Sequence, residues 1–130
     1  MLLPAKDPDP VETRHRDVEL VAAWEDGVVG VAGWSDYGWE AVRLAAAHPE
    51  IERLVLLAVP ADENAVVPEI AAKTLLLFGA ADERTGARAA RWWKAQIPRA
   101  RVEMSPGLGH DLLGPRWSRT LGHLAPGTLR

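Results

Sequence analysis

Two apolar runs near the middle of the chain, "RLVLLAV" (Arg53–Val59) and "KTLLLFG" (Lys73–Gly79), constrain the fold more than any other feature of the sequence. Each is too short to cross a membrane and is apolar at successive positions, so a strand made from it must bury both faces. Val28–Gly33 reads as a third such strand and Ala100–Met104 as a shorter fourth. Helical patterns alternate with them. In "DYGWEAVRLAAAHP", Gly38, Ala41, Val42 and Ala45 fall on one face, and Pro49 closes the helix. Arg84–Gln96 is amphipathic and ends before Pro98, and Pro115–Leu124 begins with proline at a helix start. Strands covered on both faces and separated by helices predict an α/β fold, with a parallel sheet of about four strands and helices on both faces.

Before this layer lies "PAKDPDPVETRHR" (Pro4–Arg16), rich in proline and charge. Residues 1–16 are therefore expected to form an extended arm and residues 17–130 a single domain. Asp17, Val18, Val21 and Trp24 recur near helical spacing until Gly27 stops them. The 130 residues carry a net charge of −3, which gives no basic footprint for nucleic acid or an anionic membrane. With no cysteine there is no thiolate nucleophile and no Cys-based zinc site. His15, His48 and His123 lack metal-ligand spacing, and the glycine-rich "PGLGHDLLG" lacks the lysine of a phosphate loop, so neither a metal nor a cofactor is expected. No signal-like or membrane-spanning apolar run is present, which makes the cytoplasm the expected location.

The chemistry concentrates at a corner. In "VVGVAGWSDYGWEAV" the strand stops at Trp34-Ser35 and a helix begins almost at once. Such a corner lies at the carboxyl edge of a parallel sheet, where backbone N–H groups of the new helix favour developing negative charge. A serine there needs a base and a group to orient that base. Asp82 follows the third strand in "LLLFGAADE", and His110 follows the fourth in "SPGLGHDLL", both on the same edge as Ser35. Each has a plainer reading: Ser35 and Asp82 as helix caps, His110 as a solvated loop residue. Asp62, after the second strand, is a second candidate for the acid.

"GWSD", "FGAAD" and "PGLGH", in that order and at three strand ends, resemble the nucleophile elbow, acid turn and histidine loop of the α/β hydrolases. The likeness spans roughly Asp17–Pro126 and resembles the C-terminal half of that fold. It implies Ser35 as nucleophile, His110 as general base, Asp82 as the acid and the Asp36 N–H as an oxyanion donor. A small ester-like substrate, cleaved by an esterase or thioesterase reaction through an acyl-serine, follows from it. Two departures support other readings. Tyr37 stands where the elbow pattern has a small residue, with Gly38 one place late, and the half of the fold that carries the second oxyanion donor is absent. A hydrolase-derived binding or assembly module, or one part of a split hydrolase, accommodates both.

The short Pro60–Pro68 connection leaves no room for a cap domain. Strand order in the family would leave Val28–Gly33 as a bare edge, expected to pair with a second subunit in a homodimer or else with the N-terminal arm. Trp34, Tyr37 and Trp39 flank Ser35 as candidate pocket walls, with core packing the alternative for the tryptophans. Trp93 fits the buried face of its helix and Trp92 a partly exposed one. Arg84, Arg88, Arg91 and Lys94 read as a solvated basic face.

Overall fold

A computed structural model describes residues 1–3 and 24–126. Four strands form the sheet predicted from the apolar runs: β2 (Gly30–Trp34), β3 (Arg53–Leu57), β4 (Lys73–Gly79) and β5 (Arg101–Ser105). A two-residue strand, β1 (Leu2–Leu3), precedes them. The five lie in the order β1-β2-β3-β4-β5, all parallel. Among the described residues three α-helices connect or follow them: α1 (Gly38–Ala47), α2 (Gly86–Gln96) and α3 (Trp117–Leu124).

Alternation along each strand sends side chains to opposite faces, and both faces are dry. Leu54, Leu56, Leu76 and Phe78 pack with Ala41, Val42 and Ala45 of α1 and with Ala89, Ala90 and Trp93 of α2. Val55, Leu57, Leu75 and Leu77 face the other way, onto Leu112, Leu113, Trp117 and Leu124. This is why β3 and β4 are apolar at consecutive positions. The buried residues of α1 are Gly38, Ala41, Val42 and Ala45, the face read from the sequence. Trp93 is fully buried, and Trp92 packs on the core while partly exposed.

Element bounds shift by one or two residues for local reasons. The ladder of β2 begins at Gly30, where the preceding Val29 carbonyl accepts from the Glu52 and Arg53 N–H groups. α2 begins at Gly86 rather than Arg84 because the backbone leaves helical angles just before it, at Thr85 (φ −119°, ψ −75°) and at Gly86 itself (φ +56°). α3 begins at Trp117, after a turn closed by Arg116 N–H to Leu112 and Trp117 N–H to Gly114.

The outer edge of β2 is lined within the same chain. Leu2 lies beside Ala32 and Leu3 beside Gly33, and the Ala32 N–H donates to the Met1 carbonyl at 2.9 Å. At Ala32 and Gly33 the edge is thus paired by the N-terminus of the same chain. The helical pattern from Asp17 lies mostly outside the described residues; its last member, Trp24, stacks on His48 with ring centroids 3.7 Å apart. Among the described residues no helix is long and apolar enough to cross a membrane.

Candidate active site

Ser35 opens a single 3₁₀ turn, Ser35–Tyr37, between β2 and α1. Its φ is +55°, a left-handed conformation that costs a non-glycine residue energy and that must be held by its surroundings. One part of that support is Gly38. A Cβ at this position would lie 2.1 Å from Val59 Cγ2 and 2.8 Å from Cγ1, so the start of α1 and the segment that follows β3 approach too closely for any side chain. The small residue that this corner needs therefore stands at position 38. Tyr37 points away and is 50% exposed, which resolves its presence in the elbow.

Asp82 and His110 reach the corner from the ends of β4 and β5. Ser35 Oγ is 2.7 Å from His110 Nε2, and His110 Nδ1 is 2.8 Å from Asp82 Oδ2. The Asp82 side chain is only 2% exposed. Its Oδ2 also accepts from the Thr85 hydroxyl, and its Oδ1 accepts from the N–H groups of Arg84 at 2.8 Å and Thr85 at 3.3 Å. Burial alone would raise the Asp82 carboxyl pKa, but these hydrogen bonds from Thr85, His110 and Arg84 outweigh it and hold it below its ordinary value of 3.8. An ionised Asp82 accepts only, which assigns the proton to His110 Nδ1 and leaves the Nε2 lone pair facing Ser35.

The histidine loop is fixed from two sides. The Trp34 indole N–H donates to the His110 carbonyl at 2.8 Å, and the two rings lie 5.2 Å apart. Below the loop, Gly79 ends β4 without a side chain; a Cβ there would sit 2.3 Å from the carbonyl oxygens of Leu108 and Gly109. The Ala81 N–H then donates to Leu108 O at 2.9 Å, tying the acid turn to the histidine loop. Trp34 is therefore a loop anchor as well as a neighbour of the serine.

The remaining candidates fall elsewhere. Asp62 is exposed, and its carboxylate caps its own turn by accepting from the Asn64 N–H at 3.0 Å. Trp39 donates to Pro60 O at 3.1 Å and packs against Trp92 and Trp93, with centroids 5.9 and 4.8 Å away. Its surroundings are those of a core residue.

Two residues at the site were not legible in the sequence. Thr85, buried beneath Asp82, is the first. Arg84 is the second: it leaves the basic helix face to place Nη1 3.1 Å from Ser35 Oγ, while Nη2 lies 2.9 Å from both oxygens of Asp36. A cation two residues beyond the candidate acid was the one available signal for it.

No protein-family model and no curated protein matches the chain. Solved structures do. A predicted CIB-like hydrolase from Thermoplasma acidophilum aligns with a TM-score of 0.62 and 22% identity, over 72% of this chain and 49% of its own. Carboxylesterase CesB from Bacillus subtilis gives 0.59 and 17%, over 78% and 62%. The esterase domain of a Rhodothermus marinus protein gives 0.53 and 15%, over 72% and 59%. The chain spans from about half to three fifths of the length of these structures. What it shares with them is the fold: four parallel strands with flanking helices, arranged as in a partial α/β hydrolase.

Proposed function

We propose that this chain is a serine hydrolase domain that cleaves an ester or thioester of a small molecule through an acyl-Ser35 intermediate. The observation that carries the proposal is the continuous chain from Ser35 Oγ through His110 to the buried Asp82, at 2.7 and 2.8 Å, ending on a serine with φ +55°. A cap role for Ser35 needs none of this, and the N-cap position of its turn is Trp34.

In the proposed reaction Ser35 Oγ bonds to the substrate carbonyl carbon as its proton passes to His110 Nε2. The carbonyl π pair moves onto oxygen, where the Asp36 N–H donates to it. Collapse of this adduct re-forms the carbonyl and expels the alkoxide or thiolate, which takes the proton from Nε2. Water then repeats the sequence on the acyl-serine and restores the enzyme. Asp82 remains ionised throughout, fixes the tautomer and stabilises the imidazolium. The His110 side chain is 26% exposed, so water and leaving groups reach it directly.

The test is hydrolysis of p-nitrophenyl acetate and butyrate, and of acetyl thioesters, by wild type, Ser35→Ala and His110→Ala. Turnover by wild type alone supports the proposal. An equally active Ser35→Ala variant contradicts it.

A further inference from the structure

Arg84 has no place in the chain of Ser35, His110 and Asp82, yet it touches the atom on which the reaction turns. Its Nη1 lies 3.1 Å from Ser35 Oγ, the oxygen that also meets His110 Nε2 at 2.7 Å. A serine hydroxyl has one proton and two lone pairs. The proton goes to His110, one lone pair accepts from Arg84, and the second stays free to attack. The guanidinium is permanently charged and gives up no proton, so its part is donation alone.

The side chain is also held in place. Nη2 lies 2.9 Å from each carboxylate oxygen of Asp36, the residue that follows the serine. At its other end the Arg84 N–H donates to Asp82 Oδ1 at 2.8 Å. The turn that seats the acid therefore also delivers a cation to the serine. Both partners of the Arg84–Asp36 pair are more than half exposed, at 52% and 67%, and pairs so wet contribute little to stability. The consequence of the pair is positional.

Resting on the serine hydrolase reading, we propose that Arg84 is a catalytic residue of this site, a charged donor to the oxygen atoms that gain negative charge during acyl transfer, clamped in place by Asp36. As Oγ attacks, charge gathers first on Oγ and then on the former carbonyl oxygen. Both are bonded to the same carbon, so a small rotation of the guanidinium carries Nη1 from one to the other. Arg84 thereby joins the Asp36 N–H in opposing that charge.

Steady-state hydrolysis of neutral p-nitrophenyl butyrate and of a carboxylate-bearing analogue, p-nitrophenyl hemisuccinate, tests this with wild type, Arg84→Gln, Arg84→Lys and Asp36→Asn. All of these keep the backbone N–H groups that serve Asp82 and the oxyanion, and thermal melts check that each is folded. Removal of one oxyanion donor typically lowers kcat by about 10²–10³-fold. The expected result is a loss of that order in kcat for Arg84→Gln on the neutral ester, with KM within about twofold, a smaller loss for Arg84→Lys, and an intermediate one for Asp36→Asn. Unchanged or faster turnover by folded Arg84→Gln overturns the proposal, the faster result meaning that Arg84 restrains the serine. A KM increase confined to the hemisuccinate overturns it in favour of substrate binding. If wild type neither turns over any ester nor reacts with a fluorophosphonate, the hydrolase reading fails and this proposal with it, an outcome distinct from the other two.

Discussion

Replacing Gly38 by alanine probes the corner that holds Ser35 without touching any polar group of the site. The added methyl would lie 2.1 Å from Val59 Cγ2 and 2.8 Å from Cγ1, whereas carbon atoms prefer about 3.5–4.0 Å. Val59 is fully buried and β-branched, so it has little freedom to turn away. Overpacking of this kind costs about 1–3 kcal/mol. Alanine returns up to about 0.5–1 kcal/mol of helix preference, less at the first residue of a helix. The net expectation is a loss of about 1–2 kcal/mol, or a fall of roughly 4–8 °C in Tm for a domain of this size. Thermal and urea melts followed by circular dichroism measure it. In a Val59→Ala background the same substitution should cost at least about 0.5 kcal/mol less, because the clashing methyls are gone. Tyr37→Ala, on the exposed side of the same turn, should change stability by no more than about 0.5 kcal/mol. A Gly38→Ala protein as stable as wild type, or strict additivity with Val59→Ala, refutes the argument that position 38 carries the elbow's small-residue requirement.

Asp82→Asn should remain folded but lose on the order of 10⁴ in its rate of ester hydrolysis, since an amide at this position no longer fixes the imidazole tautomer; a loss below tenfold contradicts the role given to Asp82. Stability should fall as the solution is made acidic, in two windows. His123, which sits against the Lys73 carbonyl, has its pKa lowered by burial from 6.5, so the unfolded chain takes up a proton more readily than the fold as pH drops below that value. Asp82 and Glu103 also titrate below their ordinary 3.8 and 4.5, Glu103 because Arg119 hydrogen-bonds its carboxylate, so the stability they contribute is present above those values and lost as pH falls through their folded pKa values. Melts at pH 7.5, 6, 5 and 3.5 should fall in that order, and Glu103→Gln should flatten the lowest step; a Tm that rises on acidification contradicts both assignments.

The sheet was legible because burial on both faces leaves a mark in the sequence: "RLVLL" and "KTLLLFG" are apolar at consecutive positions, as a strand covered on both sides requires. The apolar face of α1 was legible for the same reason. Ser35, Asp82 and His110 each stand at the end of a strand, and a parallel sheet gathers such ends at one edge, so their meeting could be anticipated from order alone. Arg84 could not. Periodicity records which side of an element is dry, whereas the destination of a long charged side chain depends on a tertiary partner, here the Asp36 carboxylate 48 residues earlier. Thr85 lay inside the stretch read as the Arg84–Gln96 helix, and nothing in that pattern marks a hydroxyl that seats a buried carboxylate. β1 escaped notice because two residues of strand carry no periodicity; only its neighbours Ala32 and Gly33 make it one.

Everything proposed for this site depends on Ser35 being chemically activated by its contact with His110. Exposure of purified wild type, Ser35→Ala and His110→Ala to a fluorophosphonate, followed by intact-mass analysis and peptide mapping, measures it most directly. One adduct per wild-type chain is expected, mapped to Ser35, with none on Ser35→Ala and labelling at least about 10²-fold slower on His110→Ala. A folded wild-type protein that stays unlabelled, or an adduct that persists in Ser35→Ala, would contradict it.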